Sequence, residues 1–190
     1  MMAIFKGLLR KPHRSDSWIP TESLELVLDL TKQSVCNVGL GQPIEWLSVL
    51  GPPEDSRAVH EECYCYYSKG IEVDADKDLV SGIVVVWFDD LRKNFSAFQG
   101  QVKYQDHLLD VSPDFTEESF VRVFGKPYHR DEDEEEILLF YEIRPDVEWQ
   151  VEFSKQNSLK ALIMTTEPLL SNKSQREAYA VKKPWPPEYK

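Results

Sequence analysis

The residue types best suited to chemistry in this sequence stand together in the segment HEECYC, from His60 to Cys65. If this segment is a strand, Cys63 and Cys65 point to the same face and could share a soft metal ion. A structural zinc site, however, takes about four ligands from two short clusters, and no second Cys/His pair follows in the chain. A cysteine on a strand among tyrosines is more often a small buried hydrophobic residue. We therefore predict no metal and no cofactor.

Other enzymatic chemistry has little support in the sequence. A nucleophilic cysteine needs a base, and only the fold can bring a histidine close to Cys36 or Cys63. The sequence contains no Gly-x-Ser-x-Gly elbow, no His-Glu-x-x-His and no Walker loop. Gly39 and Gly41 lack the third glycine of a dinucleotide-binding loop. These absences favour a non-enzymatic protein and leave open a small metal- or cysteine-dependent hydrolase that uses Cys63, Cys65 and a histidine.

A run of acidic residues, HRDEDEEE, extends from His129 to Glu136. It lacks the oxygen spacing and central glycine of an EF-hand, so it does not predict a calcium site. The default interpretation is a solvated loop. The functional alternative is a docking surface that steers the approach of a basic partner protein. The candidate binding residues in the run are His129, Asp131, Glu132, Asp133, Glu134, Glu135 and Glu136.

Aromatic residues are concentrated in the predicted strands CYCYY and VVVWF. Side chains alternate between the two faces of a strand, so these segments place aromatic rings on both faces of a sheet. Either both faces are covered, or one face presents an aromatic patch of the kind common in protein-binding sites. We take Tyr64, Tyr66 and Trp87 as candidate contact residues of such a patch.

Charge and composition limit the partners and the location. The net charge of −11 repels nucleic-acid phosphates and anionic membranes, so we expect neither as a partner. No apolar run is long enough to span a membrane, and the apolar patch in the first residues is too short for a secretory signal. The three cysteines form no disulfide framework and suit a reducing compartment. We expect a soluble cytoplasmic protein with a protein partner, and the sequence leaves its oligomeric state open.

The elements that must position these residues occur in two similar passages. Residues 1–20 are expected to form a flexible arm, and the alternating leucines of Leu24–Leu30 predict a strand. A short helix over Ile44–Leu50 ends at Gly51, because glycine accepts the conformation needed there and the prolines after it prevent continuation. The strands predicted next are Cys63–Tyr67, Ile71–Val73 and Ile83–Phe88.

The second passage repeats the order of the first. A linking segment has room for one or two short strands, and a helix capped by Thr116 then ends at Gly125, with Pro127 after it. The strands predicted next are Ile137–Ile143, Trp149–Phe153 and Leu159–Thr165. The order helix, glycine stop, acidic loop and strands therefore occurs twice.

This pattern predicts an α+β fold of two similar units, each a short helix packed on a small antiparallel sheet, with the two sheets able to form one continuous sheet. The units are residues 21–95 and 96–167, with a single domain over 21–167 as the alternative; residues 168–190 form a polar, proline-rich tail. Two small units bury a core that one alone could not. A ligand-binding domain with a pocket between the units is a further functional possibility.

The chain has a family resemblance that rests on two glycine–proline pairs, each followed by a meander of strands. The pairs are Gly51 with Pro53 and Gly125 with Pro127. The pattern resembles the helix-plus-sheet repeat of BamE-like assembly lipoproteins and of β-lactamase-inhibitor proteins, in which two units stand in tandem. The sequence shows no lipoprotein signal, so the lipoprotein function is not implied. The resemblance implies the tandem architecture and protein binding of an immunity or inhibitor type, in which an acidic, concave sheet covers a basic target.

Overall fold

The computed structural model describes residues 12–88, 94–112, 114–168, 170 and 172–183. They form an α+β fold with two β-sheets and few helices. The strands are β1 (Val27–Asp29), β2 (Ser34–Val35), β3 (Val38–Gly39), β4 (Cys63–Tyr66), β5 (Ile71–Asp76), β6 (Leu79–Val86), β7 (Gln101–Tyr104), β8 (His107–Leu109), β9 (His129–Glu132), β10 (Glu136–Arg144), β11 (Val147–Ser154) and β12 (Leu159–Thr165). The helices are α1 (Glu117–Phe124), α2 (Lys173–Ala178) and the 3-10 helices Arg14–Ser17, Ile44–Leu50, Ala58–Glu61 and Tyr67–Lys69. None of these described helices is long and apolar enough to cross a membrane.

The larger sheet is antiparallel and has the strand order β4-β5-β6-β12-β11-β10-β9. Its centre is the pair β6–β12, in which Ile83 lies opposite Met164. Central strands are covered on both faces, and both are accordingly rich in apolar residues rather than strictly alternating. The six strands predicted after the two helices are all present in this sheet, with bounds that differ by a few residues.

One face of the larger sheet forms the core. On β4 and β5 the inward side chains include Tyr64, Tyr66 and Ile71, each at most 1% exposed. On β11, Trp149 and Phe153 point to the same core, where α1 packs through Phe120 and Phe124. The opposite face carries polar side chains on the same strands, as period-two alternation requires.

The smaller sheet has the order β3-β2-β1-β7-β8, and β1 runs parallel to β7, with Leu28 opposite Val102. The predicted strand Leu24–Leu30 is therefore present only over Val27–Asp29. Strands β7 and β8 are the short strands expected in the linking segment. Strands β1 and β7 pair across the expected boundary between residues 95 and 96. The two units and the single domain over 21–167 both stay predictions.

Both expected helix stops are present. Gly51 follows the 3-10 helix Ile44–Leu50 with φ 82° and ψ −169°, and Gly125 follows α1 with φ 81° and ψ −171°. The hydroxyl of Thr116 accepts a hydrogen bond from Ser119 N at 3.2 Å and caps α1 as predicted. The first helix is a 3-10 helix rather than an α-helix. The apolar spacing of Ile44–Leu50 did not distinguish between these two kinds of helix.

The described parts of the two termini pack against the body of the protein. In the expected arm, Arg14 forms ion pairs with Glu45 and Asp78, and the ring of Trp18 stacks on Tyr64 with centroids 5.6 Å apart. The expectation of a loose arm is therefore wrong for residues 12–20, while residues 1–11 lie outside the described part. The expected tail contains α2, whose Arg176 is 4% exposed.

Candidate functional site

A cleft of about 230 Å³ opens between the turns of the smaller sheet and the core face of the larger one. It is lined by Leu30, Thr31, Gln33, Tyr104, Gln105, Phe124, Tyr141, Ile143 and Trp149. No lining side chain carries a charge at neutral pH, although the chain as a whole has a net charge of −11. The cleft is thus an uncharged, largely aromatic recess on an acidic protein.

The wall from the smaller sheet is built by two turns that are tied together. The turn after β1 contains Thr31 and Gln33, and Gln33 Nε2 donates a hydrogen bond to Thr31 O at 2.8 Å. The turn between β7 and β8 contains Gln105, whose backbone N donates to Thr31 Oγ1 at 2.7 Å. These two hydrogen bonds hold the two turns together and so keep the polar wall of the cleft in place.

The opposite wall consists of aromatic rings from three elements. Phe124 at the end of α1 lies edge-on to Trp149 on β11, with centroids 5.5 Å apart. Tyr104, which belongs to the other wall, lies edge-on to Phe124 with the ring centroids 4.9 Å apart. Tyr141 on β10 lies directly opposite Trp149 in the sheet register, and burial raises the pKa of its phenol. Its hydroxyl donates to Gly125 O at 3.0 Å and is therefore already engaged.

Trp149 carries a hydrogen-bond donor, its indole N–H. Its side chain is 2% exposed, and its Nε1 has no hydrogen-bond partner among the described residues. An unpaired buried donor costs about 1–3 kcal/mol. The indole ring lines the cleft, but its Nε1 has almost no solvent-accessible surface, so a movement of the ring would have to precede donation to a ligand there.

A second cluster lies on the polar face of the larger sheet, at its β4 edge. Cys63 pairs with Asp74 and Cys65 with Glu72 in the β4–β5 register, so all four side chains share that face. The two Sγ atoms are 3.6 Å apart, and Cys65 Sγ is 3.8 Å from Glu72 Oε2.

The two thiols of this cluster share a hydrogen bond that separates their pKa values. The bond raises the pKa of Cys63, with further contributions from burial and from the Glu72 carboxylate. The same bond lowers the pKa of Cys65. No histidine of the described residues belongs to the cluster, and the group beside Cys65 that could act as a base is the Glu72 carboxylate. The hydrolase alternative stays a prediction.

The expected aromatic patch is absent where we placed it. Tyr64, Tyr66 and Trp87 are 1%, 0% and 4% exposed. Tyr64 and Tyr66 face the core because the register puts Cys63 and Cys65 on the polar face, and the backbone of Trp87 is tied to Lys160 O at 2.8 Å. The expected exposure of these three rings is wrong, and they are not available to a partner protein.

The acidic run is a hairpin rather than a loop. His129–Glu132 form β9, the edge strand of the larger sheet, which pairs with β10. Glu132 bridges Lys155 and Arg130, and Lys160 pairs with Glu136. The run is thus partly neutralised within the chain. Of the candidate residues, those exposed to solvent are Asp131, Glu132, Asp133, Glu134 and Glu135, whereas His129 and Glu136 are partly buried.

Sequence reasoning assigned none of the cleft residues to a site and missed the carboxylates beside the cysteines. Trp149 was visible only as one aromatic residue of a predicted strand, because its neighbours in the cleft come from distant segments. Glu72 and Asp74 alternate with apolar residues in IEVDAD, a signal that they share one face. The strand register that sets them opposite Cys65 and Cys63 could not be predicted from the sequence.

The fold and the site define an α+β protein with an uncharged cleft between two sheets. No family model matches the chain, and no curated protein matches it. A crystal structure of YjgB, a DUF4309 family protein from Bacillus subtilis, is similar with 11% sequence identity and a TM-score of 0.46, covering 69% of this chain and 83% of that one. A likeness at this level carries no argument about the present chain.

Proposed function

We propose that this protein is a binding protein for a small uncharged molecule with an apolar or aromatic body and one hydrogen-bond acceptor. The observation that carries the proposal is the uncharged lining of the cleft with its four aromatic rings, one of which belongs to Trp149, whose buried Nε1 has no partner among the described residues. A ligand acceptor at this atom would remove the desolvation cost of the N–H, and the surrounding rings would bury the ligand body.

The size and lining of the cleft define the ligand further. Its volume of about 230 Å³ lies below the roughly 300–1,000 Å³ typical of sites for drug-sized molecules. A charged group would be buried among uncharged side chains without a counter-ion, which is costly. The expected ligand is therefore small and neutral.

We also propose that the fold is a duplicated unit, as the resemblance to tandem helix-plus-sheet proteins implies. Two hydrogen bonds at corresponding places support this. Tyr66 Oη donates to Gly51 O at 3.2 Å, and Tyr141 Oη donates to Gly125 O at 3.0 Å. Tyr66 lies on β4, the first strand after its helix stop, and Tyr141 lies on β10, the second strand after its stop. The strands of the two halves run outward from the adjacent strands β6 and β12.

The duplication would explain why the aromatic wall of the cleft comes from the second half. Leu50 and Tyr66, which correspond to Phe124 and Tyr141, are 2% and 0% exposed. The core thus fills this place in the first half. In the second half Phe124 is only partly buried and lines the cleft. One copy of the unit would keep the structural role while the other carries the ligand.

A matched pair of probes tests the binding function. Acetophenone and ethylbenzene have similar shapes, but acetophenone has a carbonyl acceptor. The indole N–H signals of ¹⁵N-labelled protein are followed during titration, and the Trp149 signal is assigned by its loss in Trp149→Phe. We expect acetophenone to shift this signal and to bind about three- to tenfold more tightly than ethylbenzene, the effect of one net hydrogen bond.

The control is Trp46→Phe, because Trp46 is 50% exposed and does not line the cleft. Trp46→Phe should keep the preference for acetophenone, whereas Trp149→Phe should lose it while still binding both probes weakly. If neither probe moves the Trp149 signal, or if Trp149→Phe retains the preference, the proposed role of the indole is wrong.

Binding of a basic protein partner remains a prediction, now limited to the exposed acids of the β9–β10 hairpin. A non-enzymatic role and a cytoplasmic location also stay predictions. Cys36, Cys63 and Cys65 are free thiols in this structure, and the reducing compartment likewise stays a prediction.

A further inference from the structure

We propose that Cys63, Cys65 and Glu72 bind one soft divalent cation, Zn²⁺, at the β4 edge of the larger sheet. The sequence alone led us to expect no metal, because no second Cys/His pair accompanies the cysteines of HEECYC. The fold supplies the third ligand by pairing Cys65 with Glu72. This inference is independent of the ligand-binding cleft, which lies on the other face of the sheet.

The distances between the ligand atoms fit a tetrahedral zinc ion. With Zn–S bonds of about 2.3 Å and a Zn–O bond of about 2.0–2.2 Å, two sulfurs stand about 3.8 Å apart and sulfur and oxygen about 3.5 Å apart. The observed separations are 3.6 Å for the two sulfurs and 3.8 Å for Cys65 Sγ and Glu72 Oε2. All three ligand atoms lie within 4.8 Å of one another. The Cys63–Glu72 separation, which is bounded only by this 4.8 Å, must be about 3.5 Å in the metal-bound site.

The backbone holds the two cysteines in this arrangement without the metal. Tyr64 and Tyr66 alternate with them on β4 and are buried in the core, so the strand cannot rotate to turn the thiols away. On β5, Ile71 and Val73 flank Glu72 in the same way, and both are fully buried. A preorganised site of this kind spends little of its binding energy on ordering the ligands.

The ligand set selects the class of cation. Thiolates favour zinc and other soft ions, whereas magnesium and calcium prefer oxygen ligands alone. Asp74, directly opposite Cys63, adds a negative charge next to the site. Three protein ligands leave the fourth position of a tetrahedron to water, as in zinc sites that are open to solvent.

Cys36 shows what a purely structural cysteine looks like in this protein. It is 7% exposed, its Sγ donates to the backbone carbonyl of Glu25 at 3.8 Å, and burial raises the pKa of its thiol. Cys63, in contrast, is only partly buried and has a thiol and two carboxylates beside it. Cys36→Ser is therefore the matched control for substitutions in the cluster.

Cobalt(II) titration under reducing conditions tests the site, because thiolate ligation produces charge-transfer bands and tetrahedral geometry intensifies the d–d bands. We expect one Co²⁺ per chain with both sets of bands, displaced by Zn²⁺. The double variant Cys63→Ser/Cys65→Ser should lose the charge-transfer bands, and Glu72→Gln should weaken Zn²⁺ binding by at least about tenfold. Cys36→Ser should keep both sets, and circular dichroism verifies that each variant is folded.

A second measurement uses the unaltered chain. Zn²⁺ should slow alkylation of Cys63 by iodoacetamide, as located by peptide mass spectrometry, and EDTA should restore the rate. The proposal is overturned if Co²⁺ gives no charge-transfer bands, if the double variant binds Zn²⁺ as tightly as the unaltered protein, or if Zn²⁺ leaves the alkylation rate of Cys63 unchanged.

Discussion

Pro20 lies directly against Gly51: a methyl group added to this glycine would stand 3.0 Å from Pro20 Cβ. The first helix stop is therefore packed against the chain that leads into the domain. Gly125, the corresponding stop in the second half, has open space where its Cβ would be. Both residues have a backbone conformation, φ near +80° with an extended ψ, that is essentially restricted to glycine.

This difference gives a prediction for two alanine substitutions. Gly125→Ala should lower the free energy of unfolding by about 1–3 kcal/mol, the cost of the strained backbone alone. Gly51→Ala should cost more, because the new methyl group also displaces Pro20. Urea unfolding of both variants measures the difference, and equal costs would contradict the role of the Pro20 contact.

The two tyrosine-to-glycine hydrogen bonds give a second prediction. Tyr66→Phe and Tyr141→Phe each remove one hydroxyl and leave a glycine carbonyl without that donor, so each should cost about 1 kcal/mol. Similar costs are expected if the bonds are equivalent parts of a duplicated unit. The measurement is thermal unfolding of the two variants and of the double variant, whose cost should be the sum because the sites are far apart along the chain and in different halves. A negligible cost at either position would weaken the proposed equivalence.

The sequence predicted the elements whose signals are local. Glycine followed by proline is a strong stop for a helix, and Thr116 is a good N-cap, so both helix ends were predicted correctly. The strands of the larger sheet were also predictable, since each has several apolar or alternating residues in a row. These signals need no knowledge of what the element pairs with.

The parts that could not be predicted depend on pairing between distant segments. Strands β2 and β3 have two residues each, too few for any period. Tyr64 and Tyr66 enter the core while Cys63 and Cys65 lie on the opposite face, and this depends on which face of the strand meets the core. The cleft and the proximity of the cysteines to Glu72 likewise arise only when separate strands take their register, so neither could be predicted from the sequence.

The acidic hairpin gives a prediction for the pH dependence of stability. Hydrogen bonds from Lys155 and then Arg130 lower the pKa of Glu132 from 4.5 to about 2. Since the pKa is depressed in the folded state, its stabilising contribution is present above about pH 4.5 and is lost as the pH falls towards 2. Lys155→Met should raise the pKa of Glu132, measured by NMR titration of its side-chain carboxyl. The exposed Glu134 is the control site, and substitution of it by Gln should leave the Glu132 titration unchanged.

The buried ion pair between Arg176 on α2 and Glu142 on β10 gives the last prediction. Both side chains are about 5–6% exposed, and Arg176 also donates to Leu170 O at 2.9 Å. Glu142→Gln leaves a buried guanidinium without its carboxylate and should cost about 3–5 kcal/mol. Arg176→Met should cost somewhat less, because Lys183 still pairs with Glu142.

The double variant Arg176→Met/Glu142→Leu removes both buried charges and should recover most of the loss, since an apolar pair of similar volume often replaces a buried ion pair at little cost. Urea unfolding of the unaltered chain, both single variants and the double variant completes a double-mutant cycle. If the costs of the single variants simply add in the double variant, the two charges do not act as a pair, and α2 is held to the sheet by its packing instead.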